Sequence, residues 1–128
     1  MVAVQIDIGT RRIEEIDTEY AVTLMFSGGV QIRIEGSFTI SGTGRAPTTF
    51  DPQNLGTDQG LHRVIGGGTV EFATADENSG SLVVTLSGGI ILRVAADPDF
   101  ESWTASWPDG NTVVSMPGGG LSCWGPRP

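Results

Sequence analysis

A chain of 128 residues has room for one domain with one core. Glycine fills 19 positions and proline 7, a density that suits many tight turns, excludes a long-helix protein and stays below the roughly 25–30% of disordered low-complexity chains. Fifteen acidic residues against seven basic ones, all arginine, leave a net charge of −8, which repels phosphate backbones and anionic lipid and argues against nucleic-acid and membrane partners.

The N-terminus, Met1 to Asp7, has no basic stretch followed by a long apolar one, and the apolar run Ile90 to Leu92 is far too short to span a membrane. A cytoplasmic protein is expected. Arg12 to Ile16 reads as a strand entering a turn at Asp17-Thr18-Glu19. Beyond it lies an internal repeat: residues 22–34 read VTLMFSGGVQIRI and residues 82–94 read LVVTLSGGIILRV, at a constant offset of 60. Ser27-Gly28-Gly29 falls on Ser87-Gly88-Gly89, Arg33 on Arg93, and each alternate apolar position on another. A two-residue loop would put the apolar sets of the paired strands on opposite faces. A three-residue loop, Ser27-Gly28-Gly29, pairs Phe26 with Val30, Leu24 with Ile32 and Val22 with Ile34. It predicts a type I turn closed by a G1 bulge, with Gly29 left-handed. The same register serves 82–94, so these glycines are backbone necessities rather than a phosphate-binding loop, which needs a helix directly after it.

Residues 42–68 connect the two copies. Asp51 as N-cap and Pro52 at the first helical position start a short helix, with Leu55, Leu61, Val64 and Ile65 along one side. Gly56 and Gly60 each weaken it by about 1 kcal/mol relative to alanine and limit it to one or two turns. Thr69 to Ala73 opens the second copy and leads into the polar turn Asp76-Glu77-Asn78-Ser79-Gly80, so a three-stranded meander is used twice. Phe100 to Trp107 is an aromatic strand, Pro108-Asp109-Gly110 a turn, and Thr112 to Met116 pairs with Leu121 to Trp124. A four-residue loop there faces Met116 with Leu121 and Val114 with Cys123, extending the second meander.

The whole is a single domain, 1–128: repeat 1 over about 10–40, the connection 42–68, repeat 2 over about 69–94 and a C-terminal hairpin at 100–124. The expected fold is mostly β, an antiparallel sandwich or partly closed barrel built from two pseudo-repeated meanders. One short helix in the connection plugs an open end or edge.

The Gly-Gly hairpins, Phe50-Asp51-Pro52, Glu101-Ser102-Trp103 and the ending Pro117-Gly118-Gly119-Gly120-Leu121-Ser122-Cys123-Trp124 together resemble a family of small single-domain actinobacterial β proteins of unknown function. The resemblance spans about residues 9 to 124. It differs at Phe100, where the family often has tyrosine, and at Gly120, where an acidic residue is common. It implies the fold, carries no activity or site residue, and invites an analogy with immunity proteins, which neutralise a partner toxin.

The three tryptophans, Trp103, Trp107 and Trp124, all lie near the C-terminus. In a strand Trp103 and Trp107 share a face with Glu101 and Ala105. Large aromatics on a small sheet are first of all core. Exposed and rimmed by acid they make a protein-binding surface, with Trp103, Trp107 and Glu101 its candidate residues. Asp97, Asp99 and Glu101 alternate, so an extended chain points three carboxylates one way, as a calcium or magnesium site wants. Pro98, however, turns the chain, and a row of like charge also blunts a strand edge.

His62 is the only histidine, and no nucleophile motif joins it to Cys123 or a serine. A polar side chain on the connection, with Asp58 four residues before it, is the simpler reading. Cys123, the only cysteine, excludes an internal disulfide and a multi-cysteine metal site and reads as a small buried hydrophobe. Arg33 and Arg93 lie on the outward face, near Glu35 and Glu71, where ion pairs contribute little.

Two functional readings follow. In the first, a non-enzymatic cytoplasmic module recognises a basic protein through its acidic β surface, as an immunity-type or regulatory inhibitor would, with no cofactor. In the second, a small-molecule or metal-binding β-barrel, an enzyme in one version, keeps a pocket between its halves under 42–68. A homodimer through a free sheet edge is a further arrangement open to such a fold.

Overall fold

The computed structural model describes residues 3–6, 8, 10–42, 44–54 and 60–125. In chain order the strands are β1 (Ala3–Gln5), β2 (Ile13–Asp17), β3 (Val22–Phe26), β4 (Gln31–Ile34), β5 (Phe38–Gly42), β6 (Arg45–Phe50), β7 (Val70–Asp76), β8 (Leu82–Leu86), β9 (Ile90–Val94), β10 (Trp103–Ser106), β11 (Thr112–Ser115) and β12 (Leu121–Trp124). A five-residue helix, α1 (Leu61–Ile65), precedes β7. Asp51 does start a turn, accepting the Gln53 N–H at 3.0 Å, but what it caps is a 3-10 turn at Pro52–Asn54 separate from α1. Leu61 and Ile65 are buried on α1; Leu55 and Asp58 lie outside the described residues.

The repeat folds in the register its spacing predicts. Val22 pairs with Ile34 and Leu24 with Ile32, as Leu82 does with Val94 and Val84 with Leu92. β3 and β8 share one burial pattern, with every second side chain buried, each buried aliphatic contributing about 1.5–3 kcal/mol. The turns differ from the type I expected. Gly28 has φ 82° and ψ 9°, left-handed where a type I turn is right-handed, and Gly29 follows at φ 84°. Two successive left-handed residues explain why both copies carry two glycines.

The equivalence extends to individual hydrogen bonds. Ser27 N–H donates to Arg12 O and Ser87 N–H to Thr69 O, both at 2.8 Å. Arg12 N–H donates to the Ser27 hydroxyl and Thr69 N–H to that of Ser87. Arg12 and Thr69 bridge one another, so the two copies meet at equivalent residues, as subunits do about a two-fold axis.

Beyond the meanders the chain exchanges strands between halves, which the sequence reading did not foresee. One six-stranded sheet runs β2-β3-β4-β10-β11-β12 and the other β1-β7-β8-β9-β5-β6. The C-terminal strands thus extend the first meander rather than the second, and β5 and β6 extend the second. Glu35 and Gly36 N–H groups both donate to Ser102 O, so two of the chain's crossings between sheets, β4 to β5 and β9 to β10, lie against each other. A Cβ on Gly36 would sit 2.9 Å from that of Ser102. β6 occupies the front of the expected connection; Pro47 hid it, and an edge strand is where a sheet tolerates proline.

The two antiparallel sheets form a sandwich over one apolar cluster drawn from both, with no closed barrel. The last hairpin departs by one residue from expectation: Ser115 pairs with Leu121 and Val113 with Cys123. Met116 N–H donates to Gly120 O at 3.0 Å, closing a three-residue loop at Pro117-Gly118-Gly119 like those of the repeat. A one-residue slip exchanges faces, so Ser115 turns inward and Met116 outward.

Candidate functional site

The longer β7–β8 turn makes the two ends of the sandwich unequal. It contains three more residues than the β2–β3 turn, counted between equivalent pairs. Asp76 organises it by accepting the Asn78 and Ser79 N–H groups at 2.8 and 2.9 Å. Those bonds, Ser79 first, hold its carboxyl below the usual aspartate value. The stabilisation is therefore full above the ordinary aspartate range and is lost as pH falls through the lowered value.

The turn delivers the Gly80 carbonyl into the protein interior. Trp103 Nε1–H donates to it at 2.9 Å and the Ser115 hydroxyl at 2.8 Å, while Ser102 donates to Ser115 at 3.3 Å. Trp103, Ser102 and Ser115 are all fully buried. In the other sheet Phe38 occupies the place of Trp103, pairing with Val94 as Trp103 pairs with Ile34. There Phe38 stacks on Phe50, with centroids 5.4 Å apart. Trp103 therefore belongs to the core and is out of a partner's reach. Sequence reasoning missed this polar cluster; applying the three-residue loop to Pro117-Gly118-Gly119 was the signal that would have turned Ser115 inward.

The other two tryptophans line a groove. Trp107 packs half-buried against the core, and with Asp109, Asn111, Thr112, Val113, Cys123 and Trp124 it bounds a space of about 300 Å³. Burial falls along β12, from half-buried Leu121 to exposed Cys123 and Trp124. Cys123 is therefore exposed and not the buried hydrophobe expected, because β12 has no counterpart in the second sheet. Trp124 is 64% exposed, and its Nε1–H donates to the Ser122 hydroxyl. Asp109 is held by the Asn111 backbone and side-chain N–H groups at 2.9 and 2.8 Å.

The remaining candidates are dispersed. Glu101 is exposed outside the groove. Asp97 accepts the Asp99 N–H at 2.8 Å, so the chain turns there instead of extending three carboxylates to one side. Among the described residues no three metal-capable side chains converge. The His62 Nε2 lies 3.1 Å from Ile16 O, tying α1 to β2. Arg33 and Glu35 form the expected pair at 3.8 Å, on the surface. A cavity of about 290 Å³ lies among β5, α1 and the β8–β9 hairpin, with Arg63 beside Ile40, Val64 and Ile90. Among the described residues no helix is long and apolar enough to cross a membrane.

No curated protein and no solved structure matches the chain. A family model described as a family of unknown function, DUF6188, matches residues 4–125. The chain belongs to that family, in keeping with its resemblance to small single-domain proteins of unknown function.

Proposed function

We propose that this member of the DUF6188 family is a non-enzymatic binding module that captures a basic protein through the open end of its first sheet. The observation that carries the reading is Trp124, a large aromatic left 64% exposed beside Trp107 and Asp109. Tryptophans dominate binding energy where a partner covers them. A net charge of −8 speeds encounter with a basic partner by long-range attraction. Capture of this kind needs no chemistry, which is the requirement for an immunity-type or regulatory inhibitor. A cytoplasmic setting is part of the proposal.

The small-molecule reading rests on the cavity beside Arg63. It is the weaker one, because a single exposed cation among aliphatic side chains offers little to fix a ligand's orientation. The test is capture from an extract of the native cell at low and high salt, roughly 50 and 500 mM. A basic protein retained at low salt and released at high salt is expected; absent or salt-insensitive capture refutes the proposal.

A further inference from the structure

The outer edges of the two sheets are protected unequally. β2 carries Glu14, Glu15 and Asp17, β6 carries Arg45 and Pro47, and β1 has three residues. Charge, proline and shortness all discourage an edge from pairing with another chain. β12, Leu121-Ser122-Cys123-Trp124, carries neither charge nor proline, and its ladder reaches back to Gly120 through the Met116 bond. Bonded and unbonded pairs alternate along an antiparallel ladder. Counting from Met116 and Gly120, Ser122 and Trp124 therefore direct their backbone groups at β11, while Leu121 and Cys123 direct theirs outward. No described residue pairs with that outer edge.

Acidic residues lie near this neutral edge at both ends, Asp97 through its main chain at the start and Asp109 at the finish. At its start, Gly118 N–H donates to Asp97 O at 2.8 Å. The loop also lies against the Asp76–Gly80 turn, where a Cβ on Gly119 would be 3.1 Å from Asn78 O. At its finish, Asp109 shares the groove with Trp124. We propose that β12 is a docking edge for an extended basic segment of the partner protein. The segment adds as a strand beside Leu121 and Cys123, with arginine or lysine side chains toward the Asp97 end and the Asp109 end, one of them over the Trp124 ring. Main-chain bonds give such strand addition its affinity, and alternate side chains with cation–π contact give its specificity.

A second copy of this chain fits the edge poorly. Antiparallel pairing of β12 with itself sets the Asp97 end of one protomer against the Asp109 end of its partner, acidic residue toward acidic residue at both ends. The inference rests on the binding-module reading and supplies its site.

The probe is a capped hexapeptide, Arg-Thr-Val-Thr-Val-Arg, compared on the full chain with a version ending in glutamate and one carrying proline at its centre. Tryptophan fluorescence follows binding, and amide hydrogen exchange follows the edge. The arginine peptide is expected to bind saturably and to slow exchange at Leu121 and Cys123, with β2 and β6 unchanged. The other two peptides are expected to bind at least about tenfold more weakly. Absent binding of the arginine peptide, equal binding of the glutamate peptide, retained binding of the proline peptide, or unchanged exchange at Leu121 and Cys123 overturns the docking edge. Slowed exchange at those amides with rising protein concentration alone overturns it in favour of self-pairing. A basic protein captured in a salt-dependent way without slowing them also overturns the docking edge, and leaves the binding-module reading standing; the absence of any such protein defeats that reading itself.

Discussion

Replacing Trp103 by alanine is expected to remove about 3–5 kcal/mol of stability, lowering Tm by roughly 10–20 °C for a domain of this size. The indole is fully buried, so its loss opens a cavity as well as forfeiting transfer energy. Trp103→Phe divides the effect. The equivalent place in the other sheet already holds Phe38, and the Gly80 carbonyl keeps the Ser115 hydroxyl as donor. What Trp103→Phe loses is one buried hydrogen bond and part of a ring, about 1–2 kcal/mol. Urea unfolding of both variants checks the split; equal losses would contradict the packing account.

The second large effect is at Gly80. Its φ is 77°, and a Cβ there would come within 2.8 Å of Gly120 O and 3.1 Å of the Ser115 hydroxyl. Gly80→Ala therefore combines left-handed strain with overlap and is expected to cost about 2–4 kcal/mol. Gly88 is the control: its φ is 83° but nothing lies within 4 Å of its Cβ position, so Gly88→Ala carries the strain alone, about 1 kcal/mol. Thermal melts of the two variants should differ accordingly, and equal losses would place no special weight on the Gly80 contact.

How much of this was legible in the sequence depended on whether the signal was local. The hairpins at 22–34 and 82–94 were legible because period-2 alternation and a fixed loop length leave one register with a single apolar face. The exchange of β5, β6 and β10 to β12 between halves was not, because strand alternation says which face is buried but not which sheet a strand joins. β6 was hidden by Pro47, and the last hairpin was misplaced by one residue because four glycine-rich loop residues were counted where three close the turn.

The candidate site was legible in part for the same reason. Clustering of tryptophans near the C-terminus pointed to the region where the groove lies, and Trp107 lines it. Trp103 went to the core and Trp124 took its place at the surface. Alternation within β10 could not separate Trp103 from Trp107, since both point to the same face. What separates them is the cover supplied by the β7–β8 turn, a contact between residues more than twenty positions apart.

The open end of the first sheet as the working surface is the claim on which the functional account turns. It is tested most directly by measuring the captured partner's affinity for Trp124→Ala and Tyr20→Ala. Trp124 and Tyr20 are 64% and 77% exposed, so both variants should keep wild-type stability within about 0.5 kcal/mol. The account predicts that Trp124→Ala weakens binding about 30-fold or more, a loss of about 2 kcal/mol, while Tyr20→Ala, in the β2–β3 turn, changes it less than about twofold. Undiminished binding by Trp124→Ala, or an equal loss in both variants, would contradict it.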